Sequence, residues 1–460
     1  MLWDRDAIVT AVGGRLLWSA GPRVVGGVST DSRTVRPGEV FFALVGDRFD
    51  GNDFAAGVLS RGAAGVVVSR PLPQAPTGFA VLVDDTTAAL GRLAADHRSR
   101  LSATVVGVTG SNGKTTTKEM IAHVLAGALP GTWSAKSFNN FIGVPITLLG
   151  MRPEHAFAVV EIGTNAPGEV ARLAGLARPD IAVVTSAAPS HLEGLGSLDG
   201  VIEEEADGVA FLPGDGAAIV NADVPGLPEA AARRLRPGTE LILFGRHPRA
   251  DWRLTNLRPA WDSCEAEVNG RLRFRLPVPG PHNAINALAA IAVGRRMRLS
   301  EDEILARLAT VRLPDQRLQA RQVGSVTLIN DAYNANPGSM AAALEVLKLA
   351  PAARRRVFCA GDMLELGPAA PGFHRELGQR AAAAADLLVA VGPMAEVTAE
   401  GALRGGLSAE RVRVFPDSRR AAETVPDWLR PADFVLVKGS RGIRMEAVAE
   451  AISGVMKSEC

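Results

Sequence analysis

Residues 104–116, TVVGVTGSNGKTT, decide the fold of the chain around them. The stretch opens with an apolar, β-branched run that predicts a buried strand, and a turn with two glycines, Gly110 and Gly113, follows it. A helical pattern then runs from Lys114 to about Ala126. A strand, a glycine-rich turn and a helix in this order are the context of a phosphate-binding loop. The sequence therefore predicts an α/β sheet that carries such a loop.

Each residue type in this loop has a physical reason. Glycine lets the backbone approach a ligand closely, and the inward N–H groups together with the positive end of the helix bind phosphate oxygens. Lys114 adds a positive charge for the β- and γ-phosphates, and a hydroxyl at Thr115 or Thr116 can ligate Mg²⁺. The predicted nucleotide contacts of the loop are Gly110, Ser111, Asn112, Gly113, Lys114, Thr115 and Thr116.

The spacing of the loop differs from the common phosphate-loop pattern, whose first glycine would fall at position 108, which is Val108. The alternative is a generic glycine turn before a helix. The coincidence of strand, Gly-x-x-Gly-Lys-Thr-Thr and helix favours the phosphate loop.

The chain divides into three α/β parts. Its 460 residues suggest two to four domains, with three the central expectation. A small module covers residues 1–100, with apolar runs at residues 40–45 and 64–68 separated by glycine and proline. A central domain is expected over residues 101–313 and a C-terminal domain over residues 314–460.

The two larger domains both alternate strands with helices. Buried strands between helices predict a mostly parallel sheet flanked by helices in the central domain and a doubly wound, Rossmann-like sheet in the C-terminal domain. In the central domain, strands are expected at residues 156–162, 181–186 and 217–221, an antiparallel edge within 252–278, and a helix at about 283–298. In the C-terminal domain, strands are expected at residues 326–330, 356–360, 387–391, 412–415 and 434–438.

The composition excludes several classes of protein. The formal net charge is +1, from 50 basic and 49 acidic residues, so no global field favours nucleic acid or an anionic membrane. The three cysteines, Cys264, Cys359 and Cys460, lack metal-type spacing and suit a reducing compartment. The N-terminal residues do not resemble a signal peptide, and no apolar run is long enough to span a membrane. We expect a cytoplasmic monomer.

The loop sequence resembles the nucleotide loop of the Mur ligase superfamily, which also includes folylpolyglutamate synthase. Further segments resemble, in order, the UDP-sugar-binding domain, the muropeptide-contacting loop, the two metal-site segments and the adenine-binding helix of that family. These segments are residues 31–33 (DSR), 137–140 (SFNN), 160–163 (VEIG), 191–194 (HLEG) and 280–283 (GPHN).

Two C-terminal segments narrow the resemblance. Residues 330–337 (NDAYNANP) and 361–367 (GDMLELG) look like the family member that adds D-alanyl-D-alanine. The resemblance implies an ATP- and Mg²⁺-dependent peptide ligase. Such an enzyme converts a carboxylate of a UDP-N-acetylmuramoyl-tripeptide into an acyl phosphate, which the amine of D-alanyl-D-alanine then attacks. ATP is required because a free carboxylate is a poor acyl donor.

The resemblance also implies roles for individual residues. Catalytic roles fall on Lys114, Glu161, His191, Glu205 and Arg317. Nucleotide contacts outside the loop fall on Asn283, Asn286, Arg317 and Asp331, and Mg²⁺ ligation on Thr115, Thr116, Glu161 and His191. Contacts to the two other substrates fall on Ser32, Arg33, Asp50, Asn139, Asn140, Tyr333, Asn334 and Asn336, of which the last three are contacts to the dipeptide or, alternatively, to the nucleotide.

Structural alternatives exist for several of these residues. His191 alone could be an ordinary loop histidine, and Arg317 a surface arginine. Asn283 and Asn286 could be helix-surface amides, and His282 is expected to be structural. The asparagine-rich segment 330–337 could be only a strand-to-helix turn. A carboxylate such as Glu161 at the end of an apolar strand is costly without a cation, which favours function.

One departure from the family concerns Glu205. Relatives carry at this position a lysine that CO₂ converts to a carbamate, which places a negative oxygen pair near a metal ion. Our hypothesis is that Glu205 supplies that carboxylate directly, on a shorter stem. The alternative is that Glu203, Glu204 and Glu205 form a solvated helix face. Asp207 stands where the family usually has glutamate.

The sequence is compatible with two competing functions. A folate-type glutamyl ligase is disfavoured by the N-terminal module with its Asp-Ser-Arg segment. A nucleotide-binding partner that has lost catalysis is supported by the Glu205 departure, whereas the retained Lys114, Glu161, His191 and Arg317 oppose it.

Overall fold

The structure is a computed structural model that describes residues 3–72, 77–351 and 354–455. Cys460 lies outside the described residues. The chain splits into two compact units: unit 1 comprises Met1–Gly107, Leu129–Gly163 and Arg172–Asp180, and unit 2 comprises Val108–Ala128, Thr164–Ala171 and Ile181–Cys460. Every described helix is too short or too polar to cross a membrane.

Strands and helices alternate along most of the chain. The N-terminal elements are β1 Trp3–Asp4, α1 Arg5–Val12, β2 Arg15–Ser19, β3 Val24–Val25, β4 Gly27–Ser29, β5 Glu39–Phe42, α2 Ala55–Ser60, β6 Gly65–Val68, β7 Phe79–Leu82 and α3 Thr86–Ser99. The middle elements are β8 Thr104–Thr109, α4 Lys114–Ala126, β9 Gly131–Trp133, α5 Gly143–Leu149, β10 Phe157–Glu161, α6 Glu169–Ala177, β11 Ile181–Val184, α7 Leu192–Leu195, α8 Leu198–Ala206, β12 Ala217–Asn221, α9 Leu227–Ala232, β13 Glu240–Gly245, β14 Trp252–Pro259, β15 Cys264–Val268, β16 Leu272–Leu276 and α10 Pro281–Arg296. The C-terminal elements are α11 Glu301–Leu308, β17 Gln319–Val323, β18 Val326–Asp331, α12 Pro337–Lys348, β19 Arg356–Gly361, α13 Ala370–Ala382, β20 Leu387–Val391, α14 Ala395–Arg404, β21 Val412–Phe415, α15 Ser418–Trp428, β22 Phe434–Lys438 and α16 Glu446–Val455.

Unit 1 contains a five-stranded sheet in the order β2-β7-β6-β5-β4. Strands β4 to β7 are parallel, and β2 pairs antiparallel at one edge. Apolar side chains fill both faces, with α1 and α3 over one and α2 over the other. The predicted strand at residues 40–45 ends early, at Phe42, because the chain turns outward and leaves Val45 55% exposed. Unit 1 also holds the parallel pair β9 and β10.

The first sheet region of unit 2 runs β11-β12-β13-β14 in parallel and continues into an antiparallel edge, β14-β15-β16. The sequence predicted this antiparallel edge but missed β13, whose outer end is exposed and polar. The helix α4 begins at Lys114, as predicted, because the residue before it, Gly113, has a left-handed backbone conformation that cannot belong to the helix.

The second sheet of unit 2 has the order β17-β18-β22-β19-β20-β21. Its strands are parallel except β17, an antiparallel edge strand of polar residues that the sequence did not predict. Helices α12, α13 and α14 pack on one face and α15 and α16 on the other. The doubly wound prediction for this region is confirmed.

Candidate active site

Two glycines shape the loop between β8 and α4. Gly110 has φ +133° and Gly113 has φ +83°, both disfavoured for other residues. A Cβ atom on Gly110 would lie 2.1 Å from Thr185 Oγ1, and one on Gly113 would lie 2.8 Å from Asn286 Oδ1. The tight turn and the close packing therefore both require glycine, which is what a loop that presents its backbone to phosphate needs.

Residues after β11 hold this loop in place. Ser111 N donates to Ser186 O at 3.0 Å, and Asn112 N donates to Ser186 Oγ at 2.9 Å. Thr185 Oγ1 donates to Asn112 O at 2.6 Å. Strand β11 ends at Val184, two residues before the predicted end, because Thr185 and Ser186 turn to the loop. Sequence reasoning missed both residues, although two hydroxyls at the end of an apolar strand were a signal.

Lys114 stands at the first position of α4. Its ammonium group donates to the backbone carbonyl of Gly110, so the side chain folds back across the loop. The positive end of α4 and this ammonium group therefore lie together at the loop. Such an arrangement favours a polyanion such as a nucleotide phosphate chain.

Glu205 lies beside the same loop. The residue is only 2% exposed, and its Oε2 accepts a hydrogen bond from Thr109 Oγ1 at 2.6 Å. Its Oε1 lies 3.4 Å from the Ser111 hydroxyl donor. Burial raises the pKa of the Glu205 carboxyl, while the charge of Lys114 and the hydrogen bonds from Thr109 and the Gly110 N–H act in the opposite direction. A carboxylate beside the phosphate loop is thus a feature of the site.

The three consecutive glutamates have different environments. Glu203 is exposed and pairs with Arg233 at 2.6 Å. Glu204 is 5% exposed and accepts from Thr164 Oγ1 at 3.0 Å, Gly168 N at 2.7 Å and Val170 N at 2.8 Å, which caps the start of α6. A solvated helix face therefore describes Glu203 alone.

We expect Glu204→Ala to destabilise the protein by about 3 kcal/mol, because it leaves buried N–H donors without an acceptor. Glu203→Ala, the matched exposed control, should change stability by less than about 0.5 kcal/mol. Urea titration of both variants measures the difference. Equal effects would show that Glu204 does not support α6.

The two asparagines near the start of α10 are buried. Asn283 Nδ2 donates to Pro279 O at 2.6 Å, and Asn286 Nδ2 donates to Asn283 Oδ1 at 3.2 Å. The helix-surface alternative is excluded by their exposure of 2% and 7%. Asn286 also packs against Gly113 of the loop. Of the predicted adenine contacts, Asn286 is therefore placed beside the phosphate loop.

His282 precedes these asparagines, in the field of Asp331 and Lys438. Burial lowers the pKa of His282 to about 4, the charge of Asp331 raises it, and the charge of Lys438 lowers it further. The imidazole is therefore neutral at pH 7.

The low pKa of His282 predicts an acid-sensitive fold. The unfolded side chain has a pKa of 6.5, so between pH 6.5 and about 4 the unfolded chain binds more protons, and stability falls as the pH falls. Between pH 6.5 and about 4, the free energy of unfolding should therefore fall by up to about 3 kcal/mol less in His282→Gln than in the parent protein. Urea titrations at pH 7 and 4.5 measure it, with the exposed His247→Gln as control. An unchanged pH dependence in His282→Gln would contradict the assignment.

Arg317 reaches the loop from the segment before β17. Arg317 Nη2 donates to Thr115 Oγ1 at 2.8 Å, and its guanidinium lies 4.2 Å from the centre of the Tyr333 ring. Its neighbours Gln316 and Leu318 have φ of +61° and +47°, in the left-handed region. The structure therefore places Arg317 at the phosphate loop and not among surface arginines.

Asp331 and Lys438 form an ion pair at the ends of adjacent strands β18 and β22. Their Nζ–Oδ2 distance is 2.6 Å, and both side chains are largely buried. Asp331 Oδ1 accepts from Leu318 N at 3.1 Å, and Lys438 also donates to Asn334 O at 2.9 Å. Asp331 thus fixes the backbone beside Arg317. Sequence reasoning missed Lys438, since only the strand pairing brings it to Asp331.

Asn336 joins the C-terminal sheet to the loop. Its Nδ2 donates to Asn112 Oδ1 at 2.9 Å. Its Oδ1 accepts from Ser339 N at 2.8 Å and caps α12. The alternative that segment 330–337 is a strand-to-helix turn therefore explains one of these two contacts of Asn336.

His191 is the N-cap residue that precedes α7 and has φ +51°. Its Nδ1 lies 2.6 Å from Oε2 of Glu365, although the pair is not aligned as a hydrogen bond. Glu365, at φ +63°, belongs to the GDMLELG segment and was not singled out in the sequence. The HLEG segment, residues 191–194, and the GDMLELG segment, residues 361–367, therefore contact each other within unit 2.

The site residues of unit 1 form two groups. Glu161, 1% exposed, accepts from Asn139 Nδ2 at 3.0 Å, whereas Asn140 Oδ1 accepts from Gly143 N at 2.9 Å near the start of α5. In the N-terminal module, the exposed Arg33 binds Asp31 at 2.7 Å, and this contact is the main cause that lowers the pKa of Asp31 to about 2.

Ser32 and Asp50 have backbone and capping contacts in the same module. The Ser32 carbonyl accepts a hydrogen bond from Arg61. Asp50 accepts from Asn52 N at 2.8 Å and caps the short 3₁₀ turn Gly51–Phe54. Cap contacts therefore account for Asp50 locally, while the Arg33 guanidinium is open to solvent.

The donor atoms in unit 2 suit a nucleotide-bound Mg²⁺. In the described part of the chain, no three acidic, histidine or cysteine side chains cluster to hold a metal ion. A nucleotide-bound Mg²⁺ does not need such a cluster, because it usually takes one or two carboxylates and completes its shell with phosphate oxygens and water. The Thr115 hydroxyl and the Glu205 carboxylate offer oxygen atoms of this kind.

Comparison with known proteins identifies the family. The Mur ligase middle domain matches residues 108–294, the Mur ligase glutamate ligase domain matches 316–441, and the Mur ligase family catalytic domain matches 24–98. The chain is 34% identical to the UDP-N-acetylmuramoyl-tripeptide–D-alanyl-D-alanine ligase of Bacillus subtilis over 431 residues, 93% of each chain. The chain belongs to the Mur ligase family. This Mur ligase is also 36% identical to the ligase of the same name from Escherichia coli, over 92% of this chain and 93% of the relative.

Solved structures agree with this assignment. MurF from Acinetobacter baumannii superposes on this Mur ligase with a TM-score of 0.90, 30% identity and 99% coverage of each chain. MurF from Thermotoga maritima in complex with ADP gives a TM-score of 0.83 with 27% identity, over 94% of this chain and 98% of that one. The three-domain Mur ligase architecture and an ATP-dependent peptide ligase activity follow.

Proposed function

We propose that this Mur ligase joins D-alanyl-D-alanine to UDP-N-acetylmuramoyl-tripeptide, forming ADP, phosphate and the UDP-muramoyl pentapeptide in cytoplasmic peptidoglycan synthesis. The similarity over nearly the whole chain to ligases of that name supports the proposal. The observation that carries it is the contact of Arg317 with Thr115 at 2.8 Å, beside Lys114 and the buried Glu205. This arrangement suits transfer of a phosphoryl group, in which positioning and charge stabilisation supply most of the catalysis.

The reaction has two steps. The terminal carboxylate of the tripeptide attacks the γ-phosphorus of ATP, ADP leaves, and an acyl phosphate forms. The amine of the dipeptide then attacks the acyl carbon, and phosphate leaves as the peptide bond forms. Lys114 and the glycine loop hold the phosphates of ATP, and Arg317 stabilises the charge on the γ-phosphoryl group. Bound Mg²⁺ would neutralise part of that charge.

The remaining assignments are proposals residue by residue. Asn283, Asn286 and Asp331 contact the nucleotide, and Glu205 supplies the negative oxygen pair that a lysine carbamate supplies in relatives. Mg²⁺ ligation is assigned to Thr115, Thr116, Glu161 and His191. Contacts to the muramoyl and dipeptide substrates are assigned to Ser32, Arg33, Asp50, Asn139, Asn140, Tyr333, Asn334 and Asn336. The domains are residues 1–100, 101–313 and 314–460.

Phosphate release tests the proposed function. With ATP and Mg²⁺, release should require both UDP-N-acetylmuramoyl-tripeptide and D-alanyl-D-alanine, and mass spectrometry should detect the pentapeptide product. Omitting either substrate is the control. Folded, ATP-binding protein that releases no phosphate with both substrates would refute the proposal. Release with glutamate in place of the dipeptide would point to a glutamyl ligase.

A further inference from the structure

A second arginine lies beside the only tyrosine of the chain. Arg441 follows β22 and begins the 3₁₀ turn Arg441–Ile443. Its guanidinium lies 5.7 Å from the centre of the Tyr333 ring, which also contacts Arg317. Arg441 N donates to Asn334 Oδ1 at 3.3 Å, and Arg441 Nη1 donates to Gln316 Oε1 at 3.3 Å. Arg441 is therefore placed next to the segment that presents Arg317 to the phosphate loop.

Each of the other cations of this region already contacts either a carboxylate or the phosphate loop. Lys438 is 4% exposed and is neutralised by Asp331 at 2.6 Å. Lys114 and Arg317 contact the phosphate loop itself. Arg441 differs from these three, because its side chain is 61% exposed and its carboxylate partner, Glu446, is 3.8 Å away. Its positive charge is thus open to a ligand.

The acceptor dipeptide brings a carboxylate into this region. Its amine must reach the acyl phosphate, so its carboxylate must lie within one dipeptide length of a strongly negative phosphoryl group. A carboxylate in that position requires a cation that the nucleotide does not occupy. A guanidinium suits this task, because its planar fork binds a carboxylate through two parallel hydrogen bonds.

We propose that Arg441 binds the C-terminal carboxylate of the dipeptide acceptor and makes the ligase select dipeptides with a free carboxylate. This inference rests on the proposed function, because it requires a dipeptide acceptor. The Tyr333 ring contacts the nucleotide-directed Arg317 and also lies near the dipeptide-directed Arg441. Sequence reasoning assigned Tyr333 and Asn334 to this part of the site but not Arg441.

The test removes the charge from each partner in turn. Initial rates are measured with D-alanyl-D-alanine and with its neutral C-terminal amide, for the parent enzyme, Arg441→Ala and Arg441→Lys. For the parent, the amide should have a KM about 100-fold higher than the dipeptide. Arg441→Ala should raise the KM of the dipeptide about 100-fold and have the same KM for both acceptors, with the KM of ATP changed less than about threefold. Arg441→Lys should fall between, because it keeps the charge and loses the fork.

Each outcome decides the assignment. Arg419→Ala, which removes an exposed arginine from α15, is the matched control and should resemble the parent. An amide penalty that persists in Arg441→Ala would overturn the role of Arg441 while the ligase function stands. A parent enzyme that does not use D-alanyl-D-alanine would overturn the proposed function and this inference with it. Thermal unfolding of each variant confirms that the comparison is between folded proteins.

Discussion

Arg317→Ala should lower kcat by about 10³-fold, the range in which a transition-state arginine contributes to phosphoryl transfer. The guanidinium donates a 2.8 Å hydrogen bond to Thr115 and packs on the Tyr333 ring. The backbone that positions it has left-handed φ angles on both sides, at Gln316 and Leu318. The Kd of ATP should change less than about tenfold, because Lys114 and the glycine loop remain. Single-turnover phosphate release and nucleotide titration separate the two effects.

Controls make this prediction specific. Arg321→Ala removes an exposed arginine, 3.5 Å from Asp315, in the adjacent strand β17 and should keep nearly full activity. Arg317→Lys should recover little, because lysine lacks the planar group that packs on Tyr333. A kcat within about fivefold of the parent in Arg317→Ala would remove Arg317 from the mechanism.

Glu205→Gln should lower kcat by about 10²-fold or more while the protein stays folded. Glutamine keeps the length of the side chain and can still accept from Thr109, so the variant removes mainly the negative charge. Steady-state rates measured with and without added bicarbonate test this. Bicarbonate should not change the rate of the parent, because a carboxylate needs no CO₂.

Two further variants test the replacement itself. Glu205→Lys should be weakly active and should gain activity with bicarbonate, because a lysine there can form the carbamate that relatives use. Glu203→Ala is the neighbouring control, since its side chain is exposed, and should leave the rate unchanged. A fully active Glu205→Ala would contradict the hypothesis that the Glu205 carboxylate replaces the lysine carbamate of relatives.

The elements that the sequence predicted best are those with a strong local signal. Strands β12, β20 and β22 have the predicted bounds, because each is a continuous apolar run between polar turns. Strand β17 was missed, because its polar residues carry no apolar pattern and only its partner β18 makes it a strand.

The active site also contains features that the sequence predicted and features that it did not. The phosphate loop was readable, because its glycines and lysine are consecutive in the chain. The partners of the loop were not, because Thr185, Lys438 and Glu365 gain their roles only through contacts between distant segments. Glu204 and Glu205 could not be separated by sequence, since a helix turns one to α6 and the other to the loop.

The distances along the chain between contacting residues give this site an order of assembly. Thr109 and Glu205 are 96 residues apart, whereas Thr115 and Arg317 are 202 apart. During synthesis at about 5–20 residues per second, Arg317 follows Thr115 by roughly 10–40 s. The carboxylate side of the loop can therefore fold while the arginine side is still on the ribosome. A nascent chain can acquire a phosphate loop well before it acquires the group that makes the loop catalytic.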